Sequence, residues 1–149
     1  MNPLTRTTTR TTARNAAHIT RASALLAGLA LLSAGPAAHA ATPAELLAGY
    51  TAQAGAPAQA ARGQQFFTTR HGREWSCASC HGATPTAGGK HASTGKPIGA
   101  LAPAFNPERF TNPAKTEKWF RRNCNDVAGR ECSSAEKADL LAWLMTLKP

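Results

Sequence analysis

Cys77-Ala78-Ser79-Cys80-His81 is the stretch that decides how this chain folds. Two thiols three positions apart, followed at once by a histidine, form the attachment signature of a c-type haem. Thiols spaced this way on one turn can add to the two vinyl groups of a single porphyrin. The adjacent His81 is then held beneath the iron as its proximal ligand. A redox dithiol of the thioredoxin type would need a βαβ setting, and no strand pattern appears here. A four-cysteine zinc site would have to recruit Cys124 and Cys132, whose spacing is not that of a zinc knuckle. The motif therefore predicts one covalently bound haem c.

The sequence on either side suits that reading. From His71 to Pro107 there is no sustained hydrophobic period, and glycine and proline recur throughout. A loop region this long is unusual in a small domain unless something other than secondary structure fills its interior. A macrocycle would do so. Upstream, Thr42-Pro43-Ala44-Glu45 reads as a helix start, with a Thr cap, Pro in the first turn and Glu closing a capping box. That helix carries Leu46, Leu47 and Tyr50 and ends near Gly55 and Pro57. A second is expected from about Ala58 to Thr68, with Phe66 and Phe67 as its apolar residues. Gly63 shares a face with Phe67 and leaves room for a close neighbour. Downstream, Asn112-Pro113 opens a helix expected to run to about Cys124. Ser133 and Glu136 open a last one, whose buried stripe is Leu140, Trp143, Leu144 and Leu147. The expected fold is all-α and similar to class I cytochromes c. Three to five short helices wrap one haem around a loop-rich middle.

Charge and the N-terminus set the compartment. The chain of 149 residues has a formal charge of +9, which taken as uniform would suggest a nucleic-acid binder. It is not uniform. Residues 1–40 carry Arg6, Arg10, Arg14 and Arg21 and no acid, so a domain of residues 41–149 keeps only +5. Those forty residues read as a secretory signal peptide: a basic stretch to Arg21, an apolar run from Ala22 to Leu32, and Ala38-His39-Ala40 before the cut. The apolar run is too short for a transmembrane helix, which needs about 20 residues. No stable membrane insertion is expected after cleavage, and no nucleic-acid partner. The destination is the periplasm, by the general secretory route. There a pair such as Cys124 and Cys132 forms a disulfide more often than it stays as two free thiols.

The sixth position on the iron is less legible. Met145 lies inside the last helix, and His71 and His91 lie in loops flanking the motif. Any of these three would make an ordinary low-spin electron carrier. Asn123 offers a different answer. It follows Trp119 by four residues and Phe120 by three, so helical geometry gives the three one apolar face. A buried asparagine needs a partner or a job, unless it only caps the helix end.

Three segments, Thr42–Tyr50 (TPAELLAGY), Cys77–His81 and Lys118–Trp143 (KWFRRNCNDVAGRECSSAEKADLLAW), resemble the Sphaeroides haem protein family of high-spin monohaem cytochromes c. The likeness spans nearly all of the chain after residue 40 and is weakest over Arg70–Trp75 and Ala83–Thr94. It implies His81 as proximal ligand, Asn123 as distal ligand and a Cys124–Cys132 disulfide. It also implies that the donor is a dihaem cytochrome c. An amide oxygen suits ferric better than ferrous iron, so Asn123 is expected to leave the reduced iron and open it to O₂, NO or CO. Electron transfer and ligand binding are expected ahead of a dedicated catalytic turnover. Trp119 and Phe120 are the expected distal wall. Lys90, Lys96, Arg121 and Arg122 are surface charges that would pair haem propionates or meet an acidic partner.

Overall fold

The computed structural model describes residues 40–149, so the expected signal segment lies outside the described residues apart from Ala40. Five helices are present among them: α1 (Pro43–Ala54), α2 (Ala60–Thr68), α3 (Cys77–His81), α4 (Pro113–Ala128) and α5 (Ser134–Thr146). The architecture is the expected all-α one.

Helix ends follow local chemistry. Glu45 N–H donates to Thr42 Oγ1 at 3.2 Å while Thr42 N–H donates to Glu45 Oε2 at 2.7 Å, which closes the first capping box. Ser133 and Glu136 repeat the arrangement at α5. α4 starts as the sequence suggests, with Asn112 Oδ1 accepting from Lys115 N–H at 2.9 Å, but it does not stop at Cys124. It continues to Ala128 because Val127 still has a buried place to fill, and it ends where Gly129 takes φ 71°.

α2 lacks a capping side chain of its own and borrows one from across the fold. Asp139 of α5 accepts from Gln59 N–H at 2.6 Å and from Arg62 Nε and Nη2 at 2.6 and 3.0 Å. Only Gly63 permits this approach, since a Cβ there would fall on the backbone carbonyl of Asp139. The close neighbour that Gly63 predicted is therefore α5.

α5 is the shared wall of two apolar clusters. One face carries Leu140, Trp143 and Leu144, which pack with Phe67 of α2 and with residues around Cys77 and Ala78. The other carries Ala138 and Leu141, packed with Tyr50 of α1 and flanked by Met145. The single stripe expected for this helix is thus exceeded, because α1 and α2 both dock on it. In the loop-rich middle, Gly89–Lys90 (β1) pairs antiparallel with Pro97–Ile98 (β2), Gly89 opposite Ile98 and Lys90 opposite Pro97. No strand was expected, and a two-residue ladder is too short to leave a period in the sequence. Phe110 links this region to α4. It is the one non-glycine among the described residues with positive φ, at 61°, and its ring packs against both clusters.

Candidate haem site

The attachment motif is a single turn of helix held at both ends. Ser76 N–H donates to Ser79 Oγ at 3.0 Å, and Gly82 ends the turn with φ 77°. Cys77, Cys80 and His81 thus lie at i, i+3 and i+4 on one side of α3. Both cysteines are free thiols. Burial pushes the Cys77 thiol up to about 12. Ala92 N–H donates to Cys80 Sγ at 3.2 Å. The β1–β2 hairpin lies so close that a Cβ on Gly89 would fall on the Cys80 carbonyl.

His81 sits against the core, its ring centroid 6.2 Å from that of Phe67, which in turn lies 4.9 Å from Trp143. Desolvation, with a smaller push from the Arg109 charge, lowers its pKa to about 4. The ring is therefore neutral at pH 7 and keeps the lone pair that a metal ligand requires. Arg109 was not singled out by sequence. Its Nε and Nη2 donate to the carbonyls of Ala100 and Gly99 at 2.9 and 3.0 Å, while Leu101 and Ala102 N–H both donate to Pro85 O at 3.1 Å. The loop around Gly99–Ala102 is fixed by these bonds. No hydrogen bond from it to the His81 ring is present among the described residues.

α4 corrects the expected common face. Its buried stripe is Thr116, Cys124 and Val127, with Phe120 half-buried between them. Phe120 meets Tyr50 edge to face at 5.8 Å and Phe110 at 6.4 Å, so it belongs to the core rather than to a wall shared with Asn123. Trp119 is 43% exposed, with the Arg122 guanidinium 5.7 Å from its ring centre, and Asn123 is exposed beside it. Residues three and four apart share one broad side of a helix, which is why the three group by spacing; Cys124 extends the buried stripe past Phe120 on the side away from Asn123. The capping alternative for Asn123 also falls away, because the helix continues past it to Gly129. Next to Asn123, Cys124 and Cys132 form a disulfide with Cα atoms 5.6 Å apart. That bond removes the four-cysteine zinc site, and no metal-holding cluster of His, Cys, Asp and Glu occurs among the described residues.

The remaining candidates are spoken for locally. His71 Nε2 lies 2.9 Å from Phe66 O with its ring stacked on Phe66, and His91 Nδ1 lies 3.2 Å from Ser93 Oγ. Met145 packs on the α1 side of α5, in the cluster that does not touch Cys77. Arg121 pairs with Glu131 at 3.3 Å, whereas Lys90 and Lys96 are exposed on the hairpin.

The residues present fit a covalently held haem. Two cysteines outside any disulfide and a neutral, desolvated imidazole share one helical turn. Cys77 and Ala78 pack against the apolar cluster of Phe67, Leu140, Trp143 and Leu144, which Leu101, Phe110 and Phe120 also join. A family model described as a domain of unknown function (DUF1924) matches residues 53–144. Cytochrome c-type protein SHP of Cereibacter sphaeroides is 53% identical over 126 residues, covering 82% of this chain and 92% of that protein. The solved structure of oxidised SHP, described as an oxygen-binding cytochrome c, superposes with a TM-score of 0.68 at 50% identity, over 72% of this chain and 99% of that one. The crystal structure of oxidised cytochrome c'' from Methylophilus methylotrophus gives 0.63 at 38% identity, over 72% and 95%.

Proposed function

The chain belongs to the Sphaeroides haem protein family of monohaem cytochromes c, and from that premise we propose an exported haem protein that binds small diatomic ligands at an iron guarded by Asn123. In this reading residues 1–40 are removed as a signal peptide near Ala40 and residues 41–149 work in the periplasm. The haem supplies a redox-active iron able to take a sixth ligand. Cys77 and Cys80 hold it covalently, and His81 supplies the proximal nitrogen.

The observation that carries the distal assignment is the position of Asn123. It sits well inside α4, exposed at the edge of the buried stripe, one residue from the disulfide. An amide oxygen is a hard, neutral and weak donor, better matched to ferric than to ferrous iron. With haem bound, Asn123 would hold ferric iron weakly and would give up that place on reduction, leaving the iron able to take O₂, NO or CO. Its side-chain N–H would then be available to donate a hydrogen bond. The solved SHP structure, an oxygen-binding protein, supports ligand binding of this kind. The electron donor in this reading is a dihaem cytochrome c. With Asn123 so placed, Trp119 and Phe120 flank it as the wall residues, Trp119 exposed and Phe120 packed into the core.

Absorption spectra of the purified holoprotein test the reading. A high-spin ferrous form that takes up CO is expected, as is a changed ferric spectrum in Asn123→Ala. Sharp low-spin bands in both oxidation states without CO uptake would instead point to an ordinary carrier using His71, His91 or Met145.

A further inference from the structure

Among the longer helices, α4 is attached to the rest of the chain in its own way. α1 and α2 lie with their backbones close against α5, whereas α4 makes no comparable approach to any element. Side chains hold it. Near its start Glu117 accepts from Tyr50 Oη of α1 at 2.6 Å and from Lys137 Nζ of α5 at 2.7 Å. Lys137 is itself well covered, its ammonium lying 5.6 and 5.9 Å from the ring centres of Tyr50 and Phe120. Two turns later the Cys124–Cys132 disulfide makes the second attachment. Glu117 is also the lone acid between Lys115 and Arg122, in a segment that is otherwise strongly basic.

At about 100° per residue, Glu117 and Cys124 lie within roughly 20° of each other around the α4 axis, and Asn123 lies about 120° from Glu117. The two attachments share one flank of the buried stripe and Asn123 occupies the other. We propose that Glu117 is a positioning residue. By engaging Tyr50 and Lys137 it fixes the rotation of α4 about its own axis, and so aims Asn123. The lever is short but sufficient: with side-chain tips about 5–6 Å from the axis, a turn of about 10° moves one by about 1 Å. A displacement of that size is enough to spoil a weak ligand bond or a hydrogen bond. The disulfide holds α4 late in its length and Phe120 contributes apolar packing, which has no direction of its own, so the directed bonds of Glu117 are what resist such a turn near the start of the helix. This inference rests on Asn123 being the distal ligand.

The test combines ferric absorption spectra with CO association to the ferrous holoprotein after flash photolysis. It compares wild type, Glu117→Gln, Tyr50→Phe, Asn123→Ala and the two combinations with Asn123→Ala. Gln keeps the shape of Glu117 but puts an amide against the Lys137 ammonium, which leaves that charge unpaired and partly buried. Tyr50→Phe keeps the ring packing and removes one hydrogen bond, so it reports even where the Gln variant folds poorly. The expected result is a shifted ferric spectrum and at least a threefold change in CO association rate for Glu117→Gln. A smaller change in the same direction is expected for Tyr50→Phe, with both effects absent when Asn123 is alanine. Equal effects with and without Asn123, or no effect from either variant, would overturn the proposal. Failure of the ligand assignment is separately visible, because Asn123→Ala alone would then leave the ferric spectrum unaltered, and the positioning role would fall with it.

Discussion

The two sides of the haem site are built by opposite strategies. On the proximal side the chemistry is contiguous: Cys77, Cys80 and His81 share one turn, capped by Ser76 and Gly82 and backed by a hairpin that touches the Cys80 carbonyl. On the proposed distal side nothing is contiguous. In that reading Asn123 depends on α4, which Tyr50 holds from earlier in the chain and Lys137 and Cys132 from later in it. A motif that brings its own geometry survives being moved about the fold. A lone amide acquires its role from whatever aims the helix beneath it. The proximal side should therefore fail all at once, and the distal side by degrees.

The sharpest break is on the proximal side. Replacing Cys77 and Cys80 together with alanine is expected to abolish haem that stays with the polypeptide through denaturation and acid–acetone extraction, measured by haem stain. Next comes the frame that holds α3. Gly63→Ala puts a methyl group onto the Asp139 carbonyl, and the resulting overpacking is expected to cost about 3 kcal/mol, read from denaturant unfolding of the holoprotein.

Asp139→Asn should follow at about 2–3 kcal/mol near neutral pH, since it weakens a charge-assisted cap and leaves Arg62 without its ion. Its pH dependence has a definite sign. Burial alone would push the Asp139 carboxyl up, but hydrogen bonds from Arg62 and Gln59 N–H together with the Arg62 charge outweigh burial and hold it below the usual aspartate range. The stabilisation is then fully present above the ordinary aspartate pKa and is lost as pH falls through the lowered value. The gap between wild type and Asp139→Asn should therefore narrow in acid; a gap that widens would contradict the ion pair.

The smallest effect is expected on the distal side. Cys124→Ser with Cys132→Ser opens a short loop worth at most about 2.5 kcal/mol in the chain-entropy model. Part of that is retained, because Arg130 holds Glu136 through two contacts of 2.8 and 2.6 Å and Gly129 still ends α4. Covalent haem content should not change. CO association rates should, if the distal helix is the adjustable half.

What the sequence discloses follows the same division. The attachment turn, the capping boxes at Thr42 and Ser133 and the close approach at Gly63 are local or single-residue signals, and each reappears in the fold. The extension of α4 past Cys124 rests on Val127, whose burial carries the helix on to Ala128, and a single apolar residue leaves no period in the sequence. Trp119 and Phe120 were grouped because spacing alone cannot tell which flank of an amphipathic helix meets the core. The Glu117 attachment and the Asp139 cap lie outside any local window, since their partners sit 67 and 80 residues away. A lone acid in a basic run was the one visible trace of the first. An acid set directly before the apolar run Leu140–Met145 was the trace of the second.

That eighty-residue span also sets an order of events. α2 has no N-terminal cap until Asp139 arrives, and the wall behind Cys77 and His81 consists of Leu140, Trp143 and Leu144 from the final helix. Closing so long a loop is entropically costly and brings no reward before its last contacts form. A polypeptide still emerging without its C-terminal segment thus presents the two thiols on an open, unfolded stretch. Haem can be joined to them before the structure that will later bury Cys77 exists.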